Sequence, residues 1–540
     1  MKKLIPAYIL AFVISFMLFL YEPIVMYGTN INDFWFDLST IISPLIILFI
    51  SSLIIISILF SLLYYFNNRF FKGKRIYELI LLISYAILFS IYIEGNYLSI
   101  MLPALDGSLT WDGHTLSKVL SIIIWILPIM IFFFLGKRKT YESVINVSKY
   151  FSLGITVMLI ASLFSVLMSS NALSIKKKPL LLTKENLMSK SKDTNFYILV
   201  LDTIDSLNFA NIVKQSDYQD TFNDFTYFPD TVGAYLYTRD SIPFILSNKW
   251  NLNEEDFLTY INKALDSSSL FQNLQEKKYS INIYDTELIW DSEKRNIIDN
   301  KIPFEGKIAK ISFYKQVLKY DLYKYLPFQL KKYSRIETLD FNVCKSSASS
   351  NYFTWNNIDM YNNLDDEMNE KEEKIFKFIH LEGAHPPFNS DKDLNIISNG
   401  THEQKEMATL KLINKFINTL KNNNSYDNSI IIIMSDHGIN EENLLGRQNP
   451  ILYIKGLNEQ HEMLTSDLAI SYDYLSDIYN DLLNGKKSSE LLQNYEFPET
   501  RKFILYRYLD EKHMEEYEVL KKAWDIYNIR STGRVFDLKK

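Results

Sequence analysis

Cysteine and histidine are scarce in this chain. One cysteine, Cys344, stands among 540 residues, so the chain can form no internal disulfide and no zinc site built from cysteines. Its flanking sequence is typical of a small apolar side chain in a packed region. The seven histidines are too few for two fully built metal sites. We therefore expect one tightly held metal ion, and a second, weakly held ion near His385 and His461 stays open as an alternative.

A surplus of positive charge is also missing. The chain has 57 Lys and Arg against 63 Asp and Glu, which gives a formal net charge of -6. A protein that binds nucleic acid neutralises phosphates with a basic face, and this composition does not indicate one. We predict no nucleic-acid partner.

Long apolar runs with few or no charged residues fill the first third of the sequence. Five of them exceed or approach the ~20 residues that a helix needs to cross a bilayer. They cover residues 4–21, 42–66, 76–94, 118–136 and 150–168. The sequence therefore predicts a five-span transmembrane domain at 1–168. We expect a linker at 169–194 and a folded domain at 195–540.

The loops between these spans differ in charge. Loops 22–41 and 95–117 have no Lys or Arg, whereas 67–75 and 137–149 carry four each. Since basic loops stay in the cytoplasm, the N-terminus is predicted inside and residues after 168 outside the cytoplasmic membrane. The lysine run at 176–178 argues for the opposite orientation, but the other loops agree with one another.

The remaining two thirds alternate short apolar runs with amphipathic stretches. Such alternation predicts a doubly wound, mostly parallel sheet with helices on both faces. We predict strands at 196–201, 279–284, 375–381, 430–435, 451–454 and 503–509. We predict helices at 254–277, 403–421, 473–484 and 512–526.

Polar residues follow several of these runs. Asp202 ends the first strand, His385 follows strand 375–381, and Asp436 and His437 follow strand 430–435. In open α/β sheets, ligands bind at the carboxyl ends of the strands. Oxygen and nitrogen ligands together suit Zn²⁺ or Mn²⁺, and Mg²⁺ stays possible. The sequence predicts a site for a divalent metal at this edge.

Two of these positions have alternative interpretations. Thr238 stands where a turn gives way to an apolar run, and Thr favours the N-cap of a helix. Ser241 would serve equally well as that cap. For the first strand end, Asp205 competes with Asp202 as the ligand.

Three more residues near the strand ends stay open at this point. His385 could contact a substrate, or it could only order the Pro386-Pro387 turn. Arg447 could meet a phosphate, or it could be an ordinary arginine of a surface loop. His380 occupies an alternating strand position, and we interpret it as structural.

Taken in order, these motifs resemble the sulfatase-like branch of the alkaline phosphatase superfamily. They are Asp202, Thr238 in Thr-Arg-Asp-Ser-Ile-Pro, His380-Leu-Glu-Gly-Ala-His-Pro-Pro-Phe, and Ser435-Asp-His-Gly. The five-span anchor is similar to that of the lipid A phosphoethanolamine transferases and the lipoteichoic acid synthases. The resemblance implies the alkaline phosphatase or sulfatase-like fold for the folded domain.

The resemblance also implies roles for individual residues. Asp202, Thr238, Asp436 and His437 would bind one divalent metal ion, and Thr238 would also be the nucleophile. Metal coordination activates a hydroxyl that is otherwise a poor nucleophile. His385 would contact the substrate phosphate or the leaving group and serve as acid or base.

One motif of the sulfatases is missing. They form their formylglycine within Cys/Ser-x-Pro-x-Arg, but Cys344 is followed by Lys-Ser-Ser-Ala, and Ser241-Ile-Pro is followed by Phe-Ile. Asp202, by contrast, matches sulfatases, since the transferases usually have Glu there. The missing motif favours a transferase over sulfate hydrolysis.

The expected reaction moves a phosphoglycerol or phosphoethanolamine group from a phospholipid to a cell-surface glycan or lipid, through a phosphothreonine. The lack of disulfides favours the phosphoglycerol type. The alternative is a membrane-anchored hydrolase, a phosphodiesterase or sulfuric ester hydrolase.

Overall fold

The computed structural model describes most of the chain. The described residues are 3–31, 34–71, 75–99, 114–138, 141–176, 180–286, 288–302, 308–334, 336, 338–344, 351–364, 367–440, 443–493, 495–507 and 510–537. Most of loop 95–117, on which the predicted orientation partly depends, lies outside these residues.

The chain divides into two compact units. The first, the helical unit, consists of Met1–Lys178 together with Glu305–Ala348. The second, the α/β unit, consists of Pro179–Phe304 and Ser349–Lys540. Residues 305–348 thus group with the N-terminal helices, although they come after the first strands of the α/β unit in the sequence.

The helical unit contains five helices that are long and apolar enough to cross a membrane. They are Ile5–Thr29, Leu38–Phe70, Ile76–Leu98, Thr115–Leu135 and Tyr141–Ser169. Many of their apolar side chains are exposed, as expected of surfaces that face lipid rather than water. The predicted five-helix N-terminal region is confirmed.

Two of these helices change their winding at an acidic residue. The first contains a π-helical turn at Met17–Tyr21, directly before Glu22. The third passes into a π-helical turn at Glu94–Leu98. Both glutamates are fully buried. Single π turns inside α-helices often mark a site with a specific role.

The segment from the middle of the chain supplies partners for these acids. It forms the helices Lys310–Tyr325 and Phe328–Lys331, followed by short 3₁₀ turns at Lys332–Ser334 and Thr338–Cys344. Glu22 accepts hydrogen bonds from Tyr320 at 3.0 Å and Tyr325 at 2.8 Å and forms an ion pair with Lys324. Lys331 and Glu94 form a second buried ion pair at 3.4 Å.

A seven-stranded sheet forms the centre of the α/β unit. Its strands are β1 Asn195–Leu201, β2 Thr226–Tyr227, β3 Tyr279–Tyr284, β4 Lys374–Leu381, β5 Ser429–Met434, β6 Leu452–Lys455 and β7 Leu464–Thr465. They lie in the order β7-β2-β6-β5-β1-β4-β3. Only β6 runs antiparallel to its neighbours β5 and β2, so the sheet is mostly parallel.

Side chains on both faces of the sheet are buried. Along β1, Phe196, Ile198 and Val200 belong to one apolar core. Tyr197, Leu199 and Leu201 belong to another on the opposite face. A continuous apolar run is what a parallel strand covered on both faces requires. The predicted α/β class with a mostly parallel sheet is confirmed.

Helices and small sheets complete this unit. The helices are Ser206–Gln215, Thr238–Ser247, Phe257–Asp266, Ser269–Glu276, Asn357–Asn363, His402–Asn422 and Leu475–Leu483. Two-stranded sheets pair Leu181–Leu182 with Lys301–Ile302, Ser189–Ser191 with Asn369–Lys371, and Thr231–Val232 with Ile470–Ser471. An antiparallel sheet joins Arg501–Arg507, Asp510–Val519 and Ile529–Asp537.

Two secondary-structure predictions differ from the structure. The predicted helix 254–277 is two helices, because Ser268 caps the second one by accepting a hydrogen bond from the backbone of Phe271. The predicted helix 512–526 is wrong, since Asp510–Val519 is a strand. Its Glu- and Lys-rich sequence favours a helix, but pairing with strands on both sides overrides that weak preference.

Candidate active site

Two aspartates meet where neighbouring parallel strands end. Val200 pairs with Met434, so the register places Asp202 beside Asp436 two residues further on. The two side chains are 1% and 0% exposed. Two carboxylates buried side by side repel each other unless positive charge compensates them.

The turn after β1 fixes both carboxylates. Thr203 has φ +62°, a left-handed conformation that β-branched residues rarely adopt. In this conformation its backbone N–H donates to Asp436 Oδ1 at 3.2 Å, and its hydroxyl donates to Asp202 Oδ1. Strain of this kind persists where the surrounding structure enforces it, which is common at functional sites.

His437 contacts both acids through one ring nitrogen. Its Nε2 lies 3.7 Å from Asp202 Oδ1 and 3.4 Å from Asp436 Oδ2. Its Nδ1 lies 2.7 Å from the carbonyl oxygen of Gly438, which can only accept a hydrogen bond. The proton is therefore assigned to Nδ1, and Nε2 presents its lone pair to the acid pair.

Thr238 is the first residue of the helix Thr238–Ser247. The N-cap position belongs to Tyr237, so the hydroxyl of Thr238 is not used as the cap. Instead Oγ1 donates to Asp202 Oδ2 at 3.2 Å. The start of a helix offers unsatisfied N–H groups and partial positive charge to an anion. A hydroxyl here is well placed to react with an anionic group.

His380, near the end of β4, also reaches the acid pair. Its Nε2 lies 3.9 Å from Asp202 Oδ2. One ligand atom from each of Asp202, His380 and Asp436 lies within 4.8 Å of the others. The sequence led us to interpret His380 as structural; its place beside the two aspartates makes it a candidate metal ligand as well. The signal that we missed is that it stands one residue before the strand end.

The electrostatics of the acid pair follow from burial and proximity. Burial, and then the charge of Asp436, raises the pKa of Asp202 to about 6. Burial also opposes the ionisation of Asp436, but the adjacent His437 and His380 imidazoles and hydrogen bonds hold its pKa below the ordinary value. The pair thus favours a bound positive charge.

The donor set fits a divalent metal ion. It offers two carboxylates and two imidazoles, with the Thr238 hydroxyl beside them. Such a mixture of oxygen and nitrogen donors suits Zn²⁺ or Mn²⁺. The group Asp202, His380 and Asp436 could hold the ion, and the closeness of His437 makes it a further candidate.

His385 lies on the loop after β4. Its ring is half-buried and packs against the ring of Trp355, with 5.2 Å between the ring centroids. The centroid of the Trp355 ring lies 5.8 Å from that of His380. Buried Lys405 fixes this loop by donating to the carbonyl of His385 at 2.7 Å and pairing with Glu382 at 2.5 Å. Hence His385 is linked to His380 through the Trp355 ring, and its side chain is partly exposed.

Arg447 reaches the site from another loop. Its guanidinium stacks over the ring of Tyr237 at 5.3 Å, and that ring lies 6.4 Å from His437. The carbonyl of Arg447 accepts from the N–H of Gly438 at 2.7 Å. Arg447 is therefore tied to the turn that carries Asp436 and His437 and is not an isolated surface side chain.

The rival residues have other contacts. Asp205 is the N-cap of the helix Ser206–Gln215 and accepts from the N–H groups of Leu207 and Asn208. Ser241 is buried and donates to the carbonyl of Tyr235 at 3.3 Å. His461, the partner suggested for a second ion near His385, instead bonds to Glu459 at 2.8 Å.

A known family model matches part of the chain. Residues 214–471 match the family model described as Sulfatase. No curated protein matches the chain.

Solved structures show distant similarity over most of their length. Ps i-CgsB in complex with k-i-k-neocarrahexaose has a TM-score of 0.40 and 13% identity, covering 61% of this chain and 84% of that one. A protein in the alkaline phosphatase superfamily from Vibrio parahaemolyticus has a TM-score of 0.36 and 11% identity, and the match covers 67% of this chain and 85% of that one. The phosphonate monoester hydrolase from Silicibacter pomeroyi has a TM-score of 0.34 and 11% identity, and the match covers 64% of this chain and 89% of that one.

Residues 214–471 thus match the sulfatase family model, and five candidate membrane helices precede them in the sequence.

Proposed function

We propose that this protein is a metal-dependent transferase anchored in the cytoplasmic membrane, with its α/β unit outside. It moves a phosphoglycerol or phosphoethanolamine group from a phospholipid to a cell-surface glycan or lipid. The observation that carries the proposal is the Thr238 hydroxyl, 3.2 Å from Asp202 Oδ2 at the start of a helix. The membrane helices support a donor that resides in the bilayer.

Thr238 forms and breaks the covalent bond in two steps. In the first, Oγ1 attacks the phosphorus of the donor, the P–O bond to diacylglycerol breaks, and Oγ1 passes its proton to the acid pair. In the second, the acceptor hydroxyl attacks the phosphothreonine, the P–O bond to Thr238 breaks, and the acid pair returns its proton to Oγ1. The bound divalent ion would lower the pKa of the hydroxyl and offset phosphate charge.

His385 provides the proton exchange at the other side of the phosphorus. It donates a proton to the leaving diacylglycerol oxygen and later takes one from the acceptor hydroxyl, so protons balance over the cycle. Arg447 lies beside Tyr237 and the turn that carries Asp436 and His437, and it contacts the substrate phosphate. These two residues are the substrate-facing parts of the proposal.

The decisive experiment detects the covalent intermediate. The full chain in detergent, supplied with Mn²⁺ and a phospholipid with a labelled headgroup, should release diacylglycerol and carry the label on the Thr238 peptide. Thr238→Ala should abolish both, because the attacking oxygen is gone. Ser241→Ala removes a hydroxyl from the same helix and should retain both.

The same assay separates transfer from hydrolysis. Release of free headgroup phosphate, with none on an added glycan or lipid acceptor, would identify the membrane-anchored phosphodiesterase instead. Turnover of an aryl sulfate without turnover of the phospholipid would identify a sulfuric ester hydrolase. A labelled Ser241 in place of Thr238 would refute the nucleophile assignment.

A further inference from the structure

A second carboxylate lies behind His380. Asp285 is the residue that follows β3, and the parallel register pairs Tyr284 with Ile379, so Asp285 stands beside His380. Asp285 Oδ2 and His380 Nδ1 are 2.6 Å apart. The two residues are 4% and 0% exposed, so water does not compete for this hydrogen bond.

The carboxylate of Asp285 is itself held in place. Its other oxygen, Oδ1, accepts from the backbone N–H of Leu288 in the turn that follows β3. Because a carboxylate is only an acceptor, its bond to His380 assigns the imidazole proton to Nδ1. Nε2 then carries the lone pair and faces Asp202 Oδ2 at 3.9 Å.

We propose that Asp285 is a positioning residue that holds His380 in the tautomer and orientation of a metal ligand. The arrangement is carboxylate, then imidazole, then metal, in which the outer carboxylate fixes the ring and makes its nitrogen more basic. This inference rests on the proposed function only in requiring a metal ion at the acid pair. It assigns no substrate contact to Asp285.

The test is a Mn²⁺ titration of the metal-stripped full chain in detergent. In Asp285→Asn the side-chain amide can donate to Nδ1, which moves the imidazole proton to Nε2 and turns it toward the metal position. We expect the affinity for Mn²⁺ to fall about 10- to 100-fold. Asp285→Glu keeps an acceptor and should bind more tightly than Asp285→Asn.

The matched control is Asp266→Asn. Asp266 also accepts hydrogen bonds, from Trp290 Nε1 at 2.9 Å and Ser292 Oγ at 2.7 Å, but these contacts belong to the helix end. The affinity of the Asp266→Asn protein for Mn²⁺ should stay within about twofold of the parent value, since nothing at the acid pair changes. An equal loss in both variants would show a general structural effect and overturn the proposal.

A double variant shows whether Asp285 acts through His380. His380→Gln should weaken binding at least as much as Asp285→Asn, and adding Asp285→Asn to it should cause no further loss. Full affinity in Asp285→Asn, or independent losses in the double variant, would refute the positioning role. If Asp285→Asn does not fold, the variants His380→Gln and Asp285→Glu test the positioning role of Asp285. Unchanged Mn²⁺ affinity in His380→Gln would refute that role.

The two proposals fail in distinguishable ways. The positioning role is measured by metal affinity, whereas the transferase is measured by the labelled Thr238 peptide. A normal metal affinity in Asp285→Asn with a labelled Thr238 in the parent protein would remove only the positioning role. Reduced affinity without any label would remove only the transferase.

Discussion

The buried glutamates of the helical unit and the two aspartates of the candidate site differ in the groups that surround them. In the helical unit each buried glutamate has a lysine: Glu22 pairs with Lys324, and Glu94 pairs with Lys331. In the α/β unit two aspartates, Asp202 and Asp436, lie together with only imidazoles near them. Opposite charges compensate each other within the protein, whereas like charges need a cation from outside.

This contrast separates a structural use of buried charge from a functional one. The two lysines that pair with these glutamates, Lys324 and Lys331, belong to the segment 310–331. This segment lies far along the chain from the membrane helices that it contacts. Burial lowers the pKa of Lys331 to about 8, and the neighbouring Glu94 opposes this shift. The ion pairs fix that segment to the membrane helices, whereas Asp202 and Asp436, together with His380, could hold a metal ion.

The largest effect is expected from Asp436→Asn. Removing one of the two adjacent charges should lower metal content and turnover by at least about 100-fold, since even outer residues of a metal site cost 10- to 100-fold. The unfolding temperature of the metal-free protein should change little, because the relieved repulsion with Asp202 is offset by the lost attraction to the neighbouring imidazoles and N–H groups. Elemental analysis and thermal unfolding measure the two quantities.

Its control is Asp256→Asn. Asp256 caps the helix Phe257–Asp266, and asparagine caps equally well, so metal content should not change. Retained metal in Asp436→Asn, or a large fall in the stability of its metal-free form, would contradict the ligand role.

Lys331→Met tests the opposite kind of charge burial. It leaves Glu94 without its cation and should destabilise the helical unit by about 3–5 kcal/mol. Adding Glu94→Gln should restore much of the loss, because no uncompensated charge remains. Denaturant unfolding in detergent measures the stability, and metal content should be unchanged in both variants. A neutral Lys331→Met would show that the ion pair is not needed.

Lys405→Met tests a buried lysine that serves the site indirectly. The loop that carries His385 would lose three contacts from Lys405, to Glu382 and to the carbonyls of His385 and Pro387. Turnover should fall about 10-fold through misplacement of His385, with metal content unchanged. Lys411→Met, on the same helix with an exposed partner Asp393, should leave turnover unchanged. Equal turnover in both variants would remove this role.

The smallest effect is expected from Gly154→Ala. A Cβ there would meet nothing within 4 Å, so stability should change by less than about 0.5 kcal/mol. At Gly95 a Cβ would lie 2.1 Å from Cε1 of Tyr325, a residue that binds Glu22. Gly95→Ala should therefore lower the unfolding temperature clearly. Equal unfolding temperatures would show that residues 310–331 do not pack closely on the third membrane helix.

Parts of the site could be predicted because they lie at strand ends in the sequence. Asp202, Asp436 and His437 each follow an uninterrupted apolar run, and the rule for parallel sheets places such residues at one edge. Their roles as metal ligands stay predictions. The register of the sheet then adds what the sequence leaves open, namely that Asp202 is opposite Asp436 and not Asp205.

Other parts could not be predicted, because they depend on strand order. Asp285 and His380 are far apart in the chain and meet only because β3 and β4 are neighbours in the sheet. Nothing local to either residue reveals this pairing. The strand Asp510–Val519 was missed for the same reason, since its partners on both sides decide its conformation.

The sequence by itself determined the apolar helices, the α/β alternation and the presence of acids and imidazoles after strands. These follow from hydrophobic length and period, which depend on neighbouring residues alone. Only the tertiary structure decided which acids meet and that Asp285 stands behind His380. It also decided that residues 305–348 join the membrane helices. Contacts between distant segments depend on strand order and burial, which local sequence does not encode.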